Sequence, residues 1–197
     1  MDKSLYATQA RVLLASGSPR RRELLTLILP EFGIATSREV SETYPSTLQA
    51  EEVAPFLSKL KADAYLSDLV EGEIIITADT VVINDGIILG KPRDEEQAVD
   101  ILRSLMGHTH RVVTGVTLTS TVAQETFSET TDVTFGPLSD REIDLYVHNF
   151  HPLDKAGAYG IQEWIGCAGI SSINGCYYNV MGLPLHALYL HLKNFKY

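Results

Sequence analysis

Apolar and polar positions follow two different periods along this chain, and the switches between them mark its elements. The run "RVLLAS", ending at Ser16, is apolar without a helical repeat and is bounded by Gly17 and Pro19, which predicts a buried strand. Pro19 to about Leu29 predicts a helix, with proline at the favoured first position. Between Gln49 and about Leu69, the apolar Val53, Phe56, Leu57, Leu60 and Ala64 recur at helical spacing, with Pro55 near the start, where its missing N–H is tolerated. "EIIITADTVVI" is β-branched and predicts a strand, and "NDG" (Asn84 to Gly86) predicts a hairpin turn after it.

Asp94 and Gln97 resemble a capping box; Ala98, Ile101, Leu102, Leu105 and Met106 then line one helix face, and Gly107 ends it. "RVVTGVTLTST" and "FSETTDVTF" predict strands. Ser139 and Glu142 form a second capping box, opening a helix to about Phe150. Gly157 to Gly182 is glycine-rich with little helical periodicity, and Pro184 opens a closing helix, "PLHALYLHLKNF". No repeat or low-complexity linker interrupts the pattern. The expectation is one α/β domain over residues 1–197, with 1–10 as a flexible N-terminal extension.

Composition narrows the classes. The chain of 197 residues is long enough for one sizeable core and short for two independent ones. Apolar residues at 45% and charged residues at 21% are ordinary globular usage. No run reaches the roughly 18 apolar residues of a membrane span, and the N-terminal "MDKSLYATQARVLL" lacks the apolar core and cleavage site of a signal peptide. Cys167 and Cys176 fit neither a redox nor a zinc spacing, which suits reduced thiols and a cytoplasmic location. A net charge of −9 argues against nucleic-acid binding, which wants a basic surface.

Within this acidic chain three arginines, Arg20, Arg21 and Arg22, stand together just after Pro19. They occupy the positive end of a helix, where acidic residues are favoured. They could be solvated surface residues. The strand, the Gly17 turn and the helix start, however, already offer free amides to an anion, and guanidinium pairs with phosphate in a bidentate fork. With Ser16 and Ser18 beside it, the segment suits a polyphosphate. "GIILGKP" is no P-loop, because only three residues separate its glycines and Pro92 follows the lysine, although Lys91 remains a candidate anion contact.

Asp79 is the second anomaly, a carboxylate within β-branched residues, where burial is costly unless the group is paired. It reads as a strand-end residue bonded to backbone amides, or as a metal ligand or general base, with the Thr80 hydroxyl beside it. In "PLDKAGAYGIQ", Asp154 and Lys155 adjoin glycines that permit close backbone approach, and Gln162 has the paired donor and acceptor that could meet a base edge. Glu42 and Lys61 are further candidates. The six histidines form no metal box and read as surface or satisfied core, and no Gly-x-Ser-x-Gly elbow is present.

With these residues in view, the chain resembles the Maf family of nucleoside triphosphate pyrophosphatases from about Val12 to near its C-terminus. The resemblance rests on "LLASGSPRRREL", Lys61 in "LSKLKA", "TADTVV", "LGKPRDEEQAVDIL", "MGHTHRVVTGV", "LDKAGAYGIQ" and "INGCYYNVMGLPL". It implies an inosine-triphosphate-pyrophosphatase-like α/β fold, a mixed sheet with flanking helices and two lobes around a central cleft. It implies hydrolysis of a nucleoside triphosphate to the monophosphate and pyrophosphate, with a divalent cation, Mg²⁺ or Mn²⁺.

By the same resemblance Asp79 is the proton acceptor, Ser16, Arg20, Arg21, Lys61 and Lys91 bind phosphate, and Glu42 joins Asp79 at the metal. The chain departs from the pattern with Ser41 where relatives often carry a carboxylate, and with an insertion around Pro30. "DKAGAYGIQ" resembles the dTTP and UTP branch, in which Arg20, Thr80 and Gln162 are the selecting positions. Two other readings stay open, the 7-methyl-GTP branch and a non-catalytic nucleotide-binding protein of septum formation. The resemblance admits a homodimer, which no apolar stripe demands.

Overall fold

The computed structural model describes residues 8–197, so residues 1–7 of the expected N-terminal extension lie outside the described residues. The chain divides into two compact units. The first holds the chain up to Asp79 with Thr114–Glu129 and Gly182–Tyr197; the second holds Thr80–Val113 and Thr130–Met181. The strands form a seven-stranded mixed sheet of order β2 (Gly33–Ile34), β1 (Arg11–Leu14), β3 (Glu73–Asn84), β5 (Thr109–Thr119), β6 (Gln124–Phe135) and β7 (Ile170–Asn174), with β4 (Ile87–Leu89) paired to β3.

In the first unit, β1 (Arg11–Leu14) runs parallel to β2 (Gly33–Ile34) on one side and to β3 (Glu73–Asn84) on the other. Parallel neighbours need crossovers, and helices supply both: α1 (Pro19–Thr26) between β1 and β2, and α2 (Ala50–Asp63) between β2 and β3. Ser18 caps α1, and Gln49 with Glu52 closes a capping box on α2. Val12, Leu14, Leu25, Val53 and Ile76 are buried here, each contributing about 1.5–3 kcal/mol relative to exposure.

Pro55 lies inside α2, against the backbone of β5 (Thr109–Thr119). A Cβ at Gly115 would fall 2.3 Å from the Pro55 nitrogen, so the pair permits an approach that no larger residue would allow. Hydroxyls finish the contact: Ser58 meets Thr117 at 2.9 Å, and Thr77 donates to the Ser58 carbonyl at 2.7 Å. The closing helix α7 (Leu185–Asn194) buries Leu185, Leu188 and Leu192.

In the second unit, the end of β3 turns through Asp85 (φ 49°) and Gly86 (φ 77°) into antiparallel β4 (Ile87–Leu89), the hairpin its Asp-Gly pair predicts. Helices α3 (Glu95–Leu105) and α4 (Asp140–Phe150) begin at Asp94 and Ser139. At α3 the Gln97 side chain bonds the Arg93 amide instead of closing a capping box on Asp94. The antiparallel pair β6 (Gln124–Phe135) and β7 (Ile170–Asn174) ends the sheet. Leu102, Leu105, Phe135, Ile143, Tyr146 and Ile165 are among its core residues.

Three expectations need correction. Helix α1 stops at Thr26, before Leu29, with Pro30 just beyond. Helix α2 stops at Asp63, short of Leu69, where Tyr65 turns inward and its hydroxyl donates to the Thr36 carbonyl at 3.0 Å. The glycine-rich segment holds β7 and two short helices, α5 (Trp164–Gly169) and α6 (Tyr177–Val180). Among the described residues no helix is long and apolar enough to cross a membrane.

Candidate active site

The first unit gathers six of the candidate residues. The turn after β1 is ordered by its own serines: the Ser18 amide donates to Ser16 Oγ at 3.2 Å, and Ser18 Oγ accepts from the Arg21 amide. From the first turn of α1, Arg21 folds back onto the unit's own backbone. Its Nε donates to the Gly182 carbonyl at 2.7 Å and its Nη1 to the Ala78 carbonyl at 2.8 Å. Burial lowers the Arg21 pKa, Asp79 and Glu42 oppose that shift, and the neighbouring Arg20 adds to it. Two guanidiniums, two carboxylates and a helix start therefore lie within electrostatic reach of one another. Arg21, one of the three cations at this helix start, braces the cluster.

Asp79 is the centre of the set. It is 8% exposed and lies inside β3, which continues to Asn84, so the expected strand-end position is corrected to mid-strand. Its partner is Lys61, from the last turn of α2, with Nζ 2.5 Å from Asp79 Oδ1 and 2.9 Å from Glu42 Oε1. The amide-bonded alternative for Asp79 gives way to an ion pair. Glu42 reaches the same ammonium from an irregular segment with its side chain 57% exposed.

Two carboxylates within reach of one nitrogen are a hard-oxygen donor pair. Mg²⁺ and its like commonly take one or two carboxylates and complete their shell with water and phosphate oxygens. Asp79 and Glu42 fit such an ion arriving with a polyphosphate. Among the described residues, no group of three or more His, Cys, Asp or Glu forms a protein-only cage.

The second unit holds the remaining candidates. Thr80, partly buried, follows Asp79 directly in β3. Lys91 is exposed just after β4, next to Gly90, whose carbonyl accepts from the Gly157 amide at 3.2 Å. That bond joins the lysine segment to the loop of Gln162. Gly157 (φ 70°) and Ala158 (φ 59°) are successive left-handed residues, and a Cβ at Gly157 would press on the Val82 methyls at 3.0 Å. Gln162 is exposed between buried Ile161 and partly buried Glu163.

Sequence reasoning passed over Glu163 and Tyr146. Glu163 Oε1 pairs with buried Lys155 at 3.1 Å, and its other oxygen accepts from the Tyr146 hydroxyl. A glutamate closing a glycine-rich loop was the available signal, but its partner on α4 is visible only in three dimensions. Of the histidines, His110 is buried, bonded through Nε2 to the Tyr159 hydroxyl at 2.7 Å, while His151 and His191 meet Glu95 and Glu125 at 3.2 and 2.8 Å.

A relative from Phocaeicola vulgatus, named dTTP/UTP pyrophosphatase, is 50% identical over 183 residues, covering 93% of this chain and 95% of its own. A Porphyromonas gingivalis protein of the same name is 49% identical over 187 residues, 94% of each chain. The solved structure of a nucleoside-triphosphatase / dITP/XTP pyrophosphatase from Mycobacterium abscessus is 12% identical with a TM-score of 0.39, covering 64% of this chain and 74% of its own; so slight a likeness leaves the fold to be read from this chain's own strands. The family model for Maf-like proteins matches residues 11–195, nearly the whole chain, and the protein belongs to that family.

Proposed function

We propose that this protein hydrolyses dTTP and UTP to the nucleoside monophosphate and pyrophosphate. The observation that carries the reading is the cluster in which Arg20 and Arg21, at a helix start, share one electrostatic neighbourhood with the Lys61–Asp79 pair. The shared name of relatives about half identical to this chain supports the choice of substrates.

Water attacks the α-phosphorus, the bond from that phosphorus to the bridging oxygen breaks, and pyrophosphate leaves with the bond electrons. Asp79 accepts the proton of the attacking water, with Lys61 holding its carboxylate in one orientation. Arg20 and Ser16 receive the charge that grows on the leaving group, with Lys91 as a further phosphate contact. Arg21 fixes the backbone on which Asp79 stands. A divalent cation held by Asp79 and Glu42 would neutralise charge on the phosphate oxygens. Arg20, Thr80 and Gln162 select the base; the Gln162 amide offers the donor and acceptor that a pyrimidine carbonyl and ring N–H require, and a mismatched base leaves them unpaired. On this reading the protein works in the cytoplasm, where its triphosphate substrates are.

The test is release of inorganic pyrophosphate from UTP, dTTP and 7-methyl-GTP, each with and without Mg²⁺. Preference for the first two supports the reading. Preference for the third assigns the methylated-purine branch, and binding without turnover assigns a nucleotide-binding protein.

A further inference from the structure

The four-residue turn from Gly160 to Glu163, which carries Gln162, is closed at both ends by one hydroxyl. The Gly160 amide donates to the Tyr146 oxygen at 3.1 Å, and the Tyr146 O–H donates to Glu163 Oε2. The Glu163 amide returns to the Gly160 carbonyl at 3.0 Å, completing a ring of three hydrogen bonds around the turn. Lys155 holds the other carboxylate oxygen at 3.1 Å and is itself paired with Asp154 at 2.8 Å. Gly160 leaves space for that carboxylate, since a Cβ there would stand 2.7 Å from the Glu163 carboxyl carbon.

Tyr146 is a firm post for such a bracket. It is 1% exposed, lies in the core of α4 and stacks on Phe150 with ring centroids 5.0 Å apart. Burial and the bond to Glu163 raise its pKa, so the hydroxyl stays protonated and keeps its donor role. A partly buried Lys–Glu pair is weak evidence for stability, because desolvation offsets the attraction. What this pair and the phenol do is fix one backbone conformation. Within the bracket Ile161 points into the core and Gln162 is the exposed member.

We propose that Tyr146 is a positioning residue for nucleotide selection: by gripping Gly160 and Glu163 it presents the Gln162 amide to the base in a single orientation. This rests on the reading of Gln162 as a base-selecting residue. Losing the bracket frees the turn that carries Gln162. The effect therefore falls on base binding, as a change in KM in excess of any change in kcat.

The experiment is a double-mutant cycle on UTP hydrolysis with Tyr146→Phe, Gln162→Ala and the pair, with pyrophosphate inhibition measured for each. In Tyr146→Phe the KM for UTP should rise about tenfold, the size of one lost oriented hydrogen bond, with kcat falling no more than about twofold. The double variant should be no weaker than Gln162→Ala alone, because both changes remove the same contact. Additive effects, or an unchanged KM in Tyr146→Phe, overturn the proposal. Should Tyr146→Phe fail to fold, Glu163→Gln keeps an acceptor for the hydroxyl and loses only the charge to Lys155. It should raise KM in the same direction by less, and an unchanged KM overturns the proposal equally. Wild-type turnover separates the two levels: no pyrophosphate from UTP or dTTP removes the proposed function itself, whereas normal turnover with an additive cycle removes only the role of Tyr146.

Discussion

Arg21 donates to the carbonyl of Ala78 at 2.8 Å, so an arginine from the start of α1 holds the peptide that leads into Asp79. A second bond, to Gly182 at 2.7 Å, makes the same guanidinium a tie between three segments of the first unit. Its neighbour Arg20 is the one proposed to meet the substrate.

The two arginines should therefore fail differently. Arg21→Ala leaves two carbonyls without their charged donor and should cost about 2–3 kcal/mol of stability as well as activity. Arg21→Lys should rescue little, since an ammonium cannot reproduce the planar fork that spans both carbonyls. Arg20→Ala should weaken UTP turnover and pyrophosphate inhibition together. Urea melts beside steady-state kinetics separate the cases.

The approach of α2 to β5 rests on a residue with no side chain. Gly115→Ala would set a methyl 2.3 Å from the Pro55 nitrogen and 2.5 Å from the Ala54 carbonyl carbon, both backbone atoms. Backbone cannot yield as a side-chain tip does, so the change should destabilise by about 3 kcal/mol or more and shift α2, which carries Lys61. A normal denaturation midpoint in this variant would remove the close contact from the account.

Acid sensitivity has a named source in the second unit. His110 is buried between Phe135 and Tyr159, and burial depresses its pKa from 6.5 to about 4, with Asp132 acting weakly the other way. A folded value below the unfolded one means the unfolded chain binds the extra proton first. The stability that neutral His110 contributes is present above about pH 6.5 and is lost as pH falls toward 4. The loss between pH 7 and 5 should be about 2 kcal/mol, and His110→Gln should flatten that part of the profile. Denaturant melts at the two pH values check it, and equal slopes in both proteins would assign the acid loss to other groups.

What the sequence discloses and what it hides follow from the range of the interactions. The β1 turn, the start of α1, the Asp-Gly hairpin and the Ser139–Glu142 cap are set by residues within about four positions, and each is legible in one dimension. β2 is two residues long and exists only because β1 pairs with it, and α5 and α6 are too short to display a period. At the site, Asp79 is conspicuous because a carboxylate among isoleucines and valines is anomalous by itself. The bracing role of Arg21 needs Gly182, 161 residues further along, and could not be read from the arginine run. Tyr146 and Glu163 stay hidden for the same reason, since a core tyrosine on a helix looks like packing until its hydroxyl is seen to face a loop.

Asp79 is proposed to accept the proton of the water that cleaves a pyrimidine triphosphate, and Asp79→Asn is the sharpest probe of that role. The substitution keeps the shape and removes the charge, while Lys61 retains Glu42 at 2.9 Å. Pyrophosphate release from UTP with Mg²⁺ should fall about 10²-fold or more in kcat, with the denaturation midpoint little changed. Turnover near the wild-type rate in a folded Asp79→Asn protein would contradict the account.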